Sequence, residues 1–332
     1  MQTLIANLKK DIDDILSDGY KICLTIGLTS SSEKNYLTPI RTIGEIKILG
    51  CVVNNTALAE EISKRFMDNV SYFFIDIEKK LSPQIIAGKL DSRNIFHPIL
   101  EITGPGKVFP YKPNDLTIDA IYERVTPLIL HKKNLKVCVI GLGNIGSKIS
   151  LKLVESGMDV IAVPRLISYK EKNIESAINS IKPDGAIAKF IIEDNLIKAL
   201  MATDVVLCCA TAKNLLNINH ESLLTDKHLI LDIGKKNVDF RLTKKIAGIE
   251  WLDVGEALKK YISAKIEENI ESRKIKKTDS NIVQAGSLAV PGNVICSNSS
   301  SENTDFYGKI DSRGIFKRFT YKKSLLFKKH KN

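Results

Sequence analysis

The sequence predicts a two-domain α/β protein: an N-terminal α/β domain, then a doubly wound parallel sheet, then a C-terminal helix and hairpin tail. Three observations predict it. Strand-length apolar runs alternate with amphipathic helical stretches through most of residues 20 to 275, the order that builds parallel sheets. Residues Lys136 to Arg165, KVCVIGLGNIGSKISLKLVESGMDVIAVPR, read as strand, glycine-rich turn, helix and second strand. Counted from Val137, six strands with intervening helices complete one full sheet.

The glycine-rich unit organises the rest. Val137, Cys138, Val139 and Ile140 have the β-branching and length of a buried strand and run directly into Gly141-Leu142-Gly143-Asn144-Ile145-Gly146. In that pattern Gly141 permits the tight turn, Gly143 lets the backbone approach a pyrophosphate, and Gly146 lets the helix pack close to the strand. Ile145, Ile149 and Leu153 then share a helix face, the N-terminal amides point at the phosphates, and Gly157 ends the helix. The result is a Rossmann-type dinucleotide unit. Its second strand, Met158 to Val163, ends in Val163-Pro164-Arg165 with no acid for the ribose hydroxyls. An arginine there suits the 2′-phosphate of NADP, with NAD the alternative cofactor and a solvated loop arginine the plainer reading of Arg165.

From the N-terminus, Leu4, Ile5, Leu8, Ile12, Ile15 and Leu16 form one face of a helix that stops at Gly19. Lys21 to Leu28 is a strand opening into the polar loop Thr29 to Asn35, Ile46 to Val53 a second, and Tyr72 to Ile77 a third, with a helix through Leu58, Ile62 and Phe66 between the last two. Asn94 to Thr103 reads as a strand broken by Pro98, and Gly104 to Pro113 as a loop. Leu116 to Leu130 reads as a linking helix kinked by Pro127.

After Arg165, Ile174 to Ile181 and Asn195 to Met201 are helical. Ala186 to Ile192, Asp204 to Ala210, Lys227 to Ile233 and Ile249 to Val254 are extended. The strand ends Ala210-Thr211 and Asp232-Ile233-Gly234 are the further cofactor-facing candidates, with a helix cap the simple alternative for Thr211. A long helix from Glu256 carries Leu258, Ile262, Ile266 and Ile270 back to the first domain and breaks at 276 to 281. A hairpin follows, 306 to 311 and 315 to 321 about Ser312-Arg313-Gly314. The domains are therefore 1–131, 132–255 and 256–332.

With 332 residues, 44% of them hydrophobic, the chain can fill a core in each of two domains. No apolar run reaches the length of a membrane span and the N-terminus mixes lysine with aspartate, so a cytoplasmic location is expected. Six cysteines without a CxxC pair suit a reducing compartment. Only Cys51 and Cys296, the latter in a polar loop, are considered as nucleophiles. Of the net +11, Lys317, Arg318, Lys322, Lys323, Lys328, Lys329 and Lys331 carry seven, which leaves +4 for the remaining chain. Phe316, Phe319, Tyr321 and Phe327 interleave with these bases, but nucleic acid is the weaker reading of such a tail. A small-molecule substrate is the expected partner, and a homodimer is compatible with the pattern.

A first α/β unit, a linking helix, a GxGxxG domain and a returning helix together resemble the amino-acid-dehydrogenase-like group, which includes shikimate dehydrogenases, glutamyl-tRNA reductases and methylene-tetrahydrofolate dehydrogenases. The resemblance spans residues 20 to 275 in architecture and is motif-specific only in the nucleotide domain. It implies an NAD(P)-dependent oxidoreductase whose substrate sits in the N-terminal domain and exchanges hydride across the interdomain cleft. IGLTSSSEKN is similar to the serine-rich loop of shikimate dehydrogenases, which implies Ser30, Ser32 and Asn35 as substrate contacts. The lysine and aspartate settings of those enzymes are absent, as is the Cys-Asn-Arg-type motif of the reductases.

Hydride transfer needs a group that moves a proton in step, normally Lys, His or Asp. Lys112 and Asp115 in YKPND, and His97 beside Pro98, are the candidates, with a solvated pair or helix cap the plainer reading of the first two. Tyr261-Ile-Ser-Ala-Lys265 matches a YxxxK pair but lies beyond the sixth strand, and Tyr261 reads as a core-edge residue of an amphipathic helix. The five histidines have no metal-ligand spacing. The leading expectation is an NADP-preferring dehydrogenase or reductase acting on a small polar, carboxylated metabolite. A lyase or cyclising enzyme that recycles bound NAD(P), and a non-catalytic nucleotide-sensing protein, are the alternatives.

Overall fold

The structure, a computed structural model, describes residues 2–29, 35–78, 84–86, 89–91, 95–104, 106–130, 132, 134–234, 236–277, 294–297, 306–310 and 316–318. These fall into two compact units, Met1–Tyr261 and Ile262–Asn332.

The first unit opens with α1 (Gln2–Ser17), which buries Leu4, Ile5, Leu8, Ile12 and Ile15 and turns at Gly19, φ +79°. Strands β1 (Lys21–Leu28), β2 (Tyr36–Ile43) and β3 (Ile46–Val53) follow, then α2 (Thr56–Phe66), whose N-cap Asn55 accepts the Leu58 amide at 2.8 Å. β4 (Tyr72–Asp76), the short pair β5 (Gln84–Ile86) and β6 (Lys89–Asp91), α3 (Phe96–Thr103) and β7 (Val108–Tyr111) complete this half. Its main sheet has the order β2-β3-β1-β4-β7, parallel except for β2. One face packs Ile22, Leu24, Ile26, Leu49, Phe73 and Ile75 against α1, α2 and α3. Each such side chain contributes about 1.5–3 kcal/mol on burial.

Three expectations are corrected here. Residues 94–103 are not a broken strand: Pro98 occupies the first turn of α3, where its missing N–H would have had no helical partner. The loop read at 104–113 contains β7, and β2 was not foreseen. Both are edge strands carrying a proline, Pro110 and Pro39, and the β2–β3 register shifts between Thr38 and Arg41.

α4 (Pro113–Val125) is the linking helix, and it stops before Pro127 in a 3-10 turn, Thr126–Leu130, rather than continuing through a kink. The second sheet contains β8 (Lys136–Ile140), β9 (Asp159–Val163), β10 (Phe190–Ile192), β11 (Val205–Cys208), β12 (Leu229–Asp232) and β13 (Ile249–Trp251). All its pairings are parallel and the order is β10-β9-β8-β11-β12-β13, which in sequence rank is 3-2-1-4-5-6, the Rossmann order. The helices are α5 (Asn144–Glu155), α6 (Tyr169–Ile181), α7 (Leu196–Met201), α8 (Glu221–Leu224) and α9 (Phe240–Thr243). On one face Val137, Val139, Val160 and Leu207 meet Ile149 and Leu153 of α5 and Ile118, Ile121 and Val125 of α4, so the linking helix shares this core. On the other, Cys138, Val206 and Ile230 meet Leu200, Leu224 and Leu242.

The long helix α10 (Gly255–Lys277) begins in the first unit, where Tyr261 donates its hydroxyl to the Pro110 carbonyl at 2.8 Å and sets its ring edge-on to Phe74. Tyr261 is thus a packing residue, as its helical setting suggested. Within the second unit, β14 (Val294–Ser297), β15 (Phe306–Ile310) and β16 (Phe316–Arg318) form an antiparallel sheet in that order. The expected hairpin is therefore present, but Cys296 lies in a strand rather than a polar loop. The turn 312–314, residues 278–281, the tail beyond Arg318, His131 and His330 lie outside the described residues. Among the described residues no helix is long and apolar enough to cross a membrane.

Candidate functional site

At the C-terminal edge of the second sheet, two of the three fingerprint glycines are demanded by packing and the third is not. Gly141 has φ +96°, and a Cβ there would fall 2.8 Å from the Ala210 backbone. At Gly146 a Cβ would fall within 1.9 Å of the Gly141 carbonyl oxygen, so the helix meets the strand end in direct backbone contact. Gly143 has φ −83°, and beyond its chain neighbours and its own helix no atom of the described residues lies within 4 Å of its would-be Cβ. Among the described residues no packing contact calls for glycine at 143, and the open space would admit a close-approaching ligand. Gly143 is also the N-cap of α5 and brings no side chain to the helix's first amides, which leaves those of Asn144 and Ile145 without a side-chain cap. At the far end Gly157 (φ +85°) closes the helix: the Met158 amide donates to Leu153 O and that of Gly157 to Val154 O, both at 3.0 Å.

The next strand ends converge on Ala210. A Cβ at Gly234 would lie 2.5 Å from the Ala210 carbonyl oxygen, so β11 and β12 finish in close contact. Thr211 is exposed in an irregular stretch and caps no helix; the 3-10 turn that follows is capped by Asn217. The Asp232 side chain is fully buried and its Oδ2 accepts the Asn237 and Val238 amides at 3.1 and 3.3 Å. Arg165 stands exposed two residues beyond β9, and no described residue hydrogen-bonds or ion-pairs with it.

The remaining candidates lie on the first sheet and α4. Lys112 follows the C-terminal end of β7, and its Nζ stands 3.8 Å from Asp115 Oδ2. Asp115 Oδ1 accepts from Lys148 Nζ of α5 at 2.7 Å. One turn on, Asp119 Oδ1 accepts from Lys152 Nζ at 2.6 Å, and then Tyr122 Oη and Ser156 Oγ are 2.9 Å apart. Because partner numbers rise together, α4 and α5 run parallel and side by side, with their N-termini level. The YKPND segment therefore stands beside the Gly143–Asn144 turn. Sequence reasoning missed Lys148, since a lysine in this helix has no meaning until its neighbour is known.

Asn35 is at the same C-terminal edge of the first sheet, where its Oδ1 accepts the Asn54 amide at 2.9 Å. Ser30 and Ser32 lie outside the described residues. His97 is exposed on α3 with its ring edge-on to Phe96, and no described contact joins it to Lys112 or Asp115. Two buried groups at this edge were not anticipated. Asp76 accepts the Leu28 amide at 3.0 Å and the Glu78 amide at 2.8 Å, tying β4 to β1. The Tyr111 phenol is pushed well up by burial and by Asp76, partly offset by a hydrogen bond with the Thr25 side chain.

Cys51 is buried in β3 and burial pushes its thiol up to about 12, so it is no nucleophile at neutral pH. Among the described residues no group of three or more His, Cys, Asp or Glu is arranged to hold a metal ion. A cleft of about 470 Å³ lies farther along α4 and α5, beside the start of α10, where its Lys152 and Lys260 pair with Asp119 and Glu123.

No family model matches the chain and no curated protein matches it. Among solved structures, L-tryptophan dehydrogenase from Nostoc punctiforme is 12% identical over 70% of this chain and 69% of that one, with a TM-score of 0.39. A shikimate dehydrogenase solved in complex with NADP+ is 12% identical over 73% and 86%, TM-score 0.36. Anabolic ornithine carbamoyltransferase from Campylobacter jejuni is 11% identical over 81% and 95%, TM-score 0.42.

Proposed function

We propose that this chain is an NAD(P)-dependent oxidoreductase, with NADP preferred, acting on a small polar, carboxylated metabolite held between the C-terminal edges of the two sheets. The observation that carries the reading is the fit of the glycine turn to a dinucleotide. Gly141 and Gly146 are required by backbone contacts, while the space beside Gly143 is open among the described residues, as the close approach of a pyrophosphate needs. The uncapped first amides of α5 suit a pyrophosphate, and the unpaired Arg165 suits a 2′-phosphate. Backbone groups of Ala210, Thr211 and Gly234 border the other half.

When bound, the dinucleotide supplies the hydride donor or acceptor. The chain's own residues bind, orient and move a proton. Lys112 and Asp115 lie at the start of α4 beside the first turns of α5, and Lys148 holds Asp115 in place, so an ammonium and a carboxylate are available near the glycine turn. Lys112 offers a proton and a positive charge to a substrate carboxylate or carbonyl oxygen. Asn35 borders the same edge from the first sheet.

The test is fluorescence titration with NADPH and NADH. Wild-type protein should bind NADPH more tightly. Arg165→Ala removes a charge-assisted bond worth about 1.5–3 kcal/mol and should weaken NADPH by roughly 10- to 100-fold with NADH unchanged. Gly143→Asp should abolish both. Binding of neither nucleotide to the wild-type protein would end this reading.

A further inference from the structure

We infer that Asn237 is a positioning residue that holds the two strand-end loops under the nicotinamide half of the dinucleotide, an inference that rests on the dinucleotide reading above. Asn237 is 1% exposed, although it belongs to no helix or strand. Its Nδ2 donates to the Ala210 carbonyl at 3.0 Å and also to that of Ala212, so one side chain spans the loop after β11 from the loop after β12. Its backbone is held in turn. The Asn237 amide donates to Asp232 Oδ2 at 3.1 Å, its carbonyl accepts the Leu216 amide at 3.0 Å, and the Lys236 carbonyl accepts the Asn214 amide at 2.8 Å.

The orientation of the amide is determined. Turning it over would set Oδ1 against two carbonyl oxygens. The amide packs on Gly234, where a Cβ would lie 2.7 Å from Oδ1 and 2.9 Å from Nδ2, and Oδ1 is buried with no hydrogen-bond partner among the described residues. A buried acceptor left unpaired is destabilising. An aliphatic side chain would avoid that cost but could not grip two carbonyls, so what the amide contributes is loop geometry.

The site this geometry serves follows from the strand order. In a 3-2-1-4-5-6 sheet the pyrophosphate sits at the β8–α5 turn and the adenosine ribose at the end of β9. The nicotinamide half then lies over the ends of β11 and β12, which are Ala210 and Gly234. Releasing Asn237 shifts the surface under that half and leaves the adenosine half untouched.

The experiment compares calorimetric binding of NADPH and of 2′-phospho-ADP-ribose, which lacks the nicotinamide ring, to wild type, Asn237→Ala and Asn237→Ser. Emission of bound NADPH is recorded alongside. Asn237→Ala should bind 2′-phospho-ADP-ribose within twofold of wild type and NADPH at least tenfold more weakly, with the emission change lost. Asn237→Ser, whose hydroxyl reaches one carbonyl, should fall between, and it carries the test if the alanine variant does not fold. Equal weakening of both ligands, or an unchanged NADPH affinity and emission, overturns the inference while leaving the dinucleotide reading standing. Wild-type protein that binds neither ligand overturns both.

Discussion

Alanine placed separately at Gly141 and Gly143 should split stability from binding, because the two glycines exist for different reasons. At Gly141 (φ +96°) an L side chain costs about 1–2 kcal/mol in backbone strain. The new Cβ would also lie 2.8 Å from Ala210 N and Cα, adding an overpacking cost of about 1–3 kcal/mol. Together these amount to about 2–5 kcal/mol, and so a Tm lowered by roughly 3–7 °C for a chain of this size. At Gly143 the φ of −83° is ordinary and no described atom beyond its chain neighbours and its own helix lies within 4 Å, so the stability cost is confined to a poorer N-cap, up to about 1 kcal/mol. Yet a methyl group there stands between the backbone and a pyrophosphate and should weaken NADPH by roughly tenfold or more. Thermal unfolding and NADPH titration of both variants make the comparison. Gly141→Ala melting within 1 °C of wild type would refute the packing argument. Gly143→Ala binding NADPH normally would refute the argument that a ligand is what requires glycine.

Two further outcomes follow from ionisable groups. Burial alone would raise the Asp204 carboxyl, but the Lys132 ammonium at 2.6 Å and the Lys136 amide at 3.0 Å bring it below its ordinary value. A depressed carboxyl stabilises the fold above its unfolded pKa of about 3.9, and that contribution is lost as pH falls through the lower folded value. Asp204→Asn should therefore be less stable than wild type at pH 7, with the gap closing below about pH 4; urea unfolding at several pH values checks this, and a constant gap would contradict it. Burial pushes the Cys51 and Cys138 thiols up to about 12, so native protein at pH 8 should alkylate at these positions no faster than it unfolds. Rapid native labelling of the Cys51 peptide, read by mass spectrometry, would show otherwise.

The parts of the fold most plainly legible in the sequence are the strands buried on both sides. Val137–Ile140, Val205–Cys208 and Leu229–Asp232 are central parallel strands, so their apolar runs are continuous and carry their own signal. β2 and β7 pair on one side only, tolerate Pro39 and Pro110, and so look like loops. Pro98 misled in the opposite direction, because a proline in a helix's first turn breaks nothing. In the site, the glycine turn was legible because its spacing is local. The pairing of Asp115 with Lys148, the burial of Asp76 and the reach of Asn237 across two loops depend on segments far apart in the chain, and no local pattern encodes them.

The chain passes between the first sheet and the core of the second twice. It leaves through Lys112 into α4, which is built into the second core, and it returns at α10, where Tyr261 fastens onto Pro110 and Phe74. The Arg41 guanidinium adds a second fastening, with Nη2 donating to Asp253 Oδ1 at 2.6 Å just ahead of α10. A single strap would be a swivel, free to turn in any direction. Two straps on opposite edges, β7 through Pro110 and β2 through Arg41, hold the sheet like a plank nailed at both ends. Lys112 and Asn35 adjoin those two edge strands, so both candidate residues stand on fastened edges of the first sheet and not on a free rim.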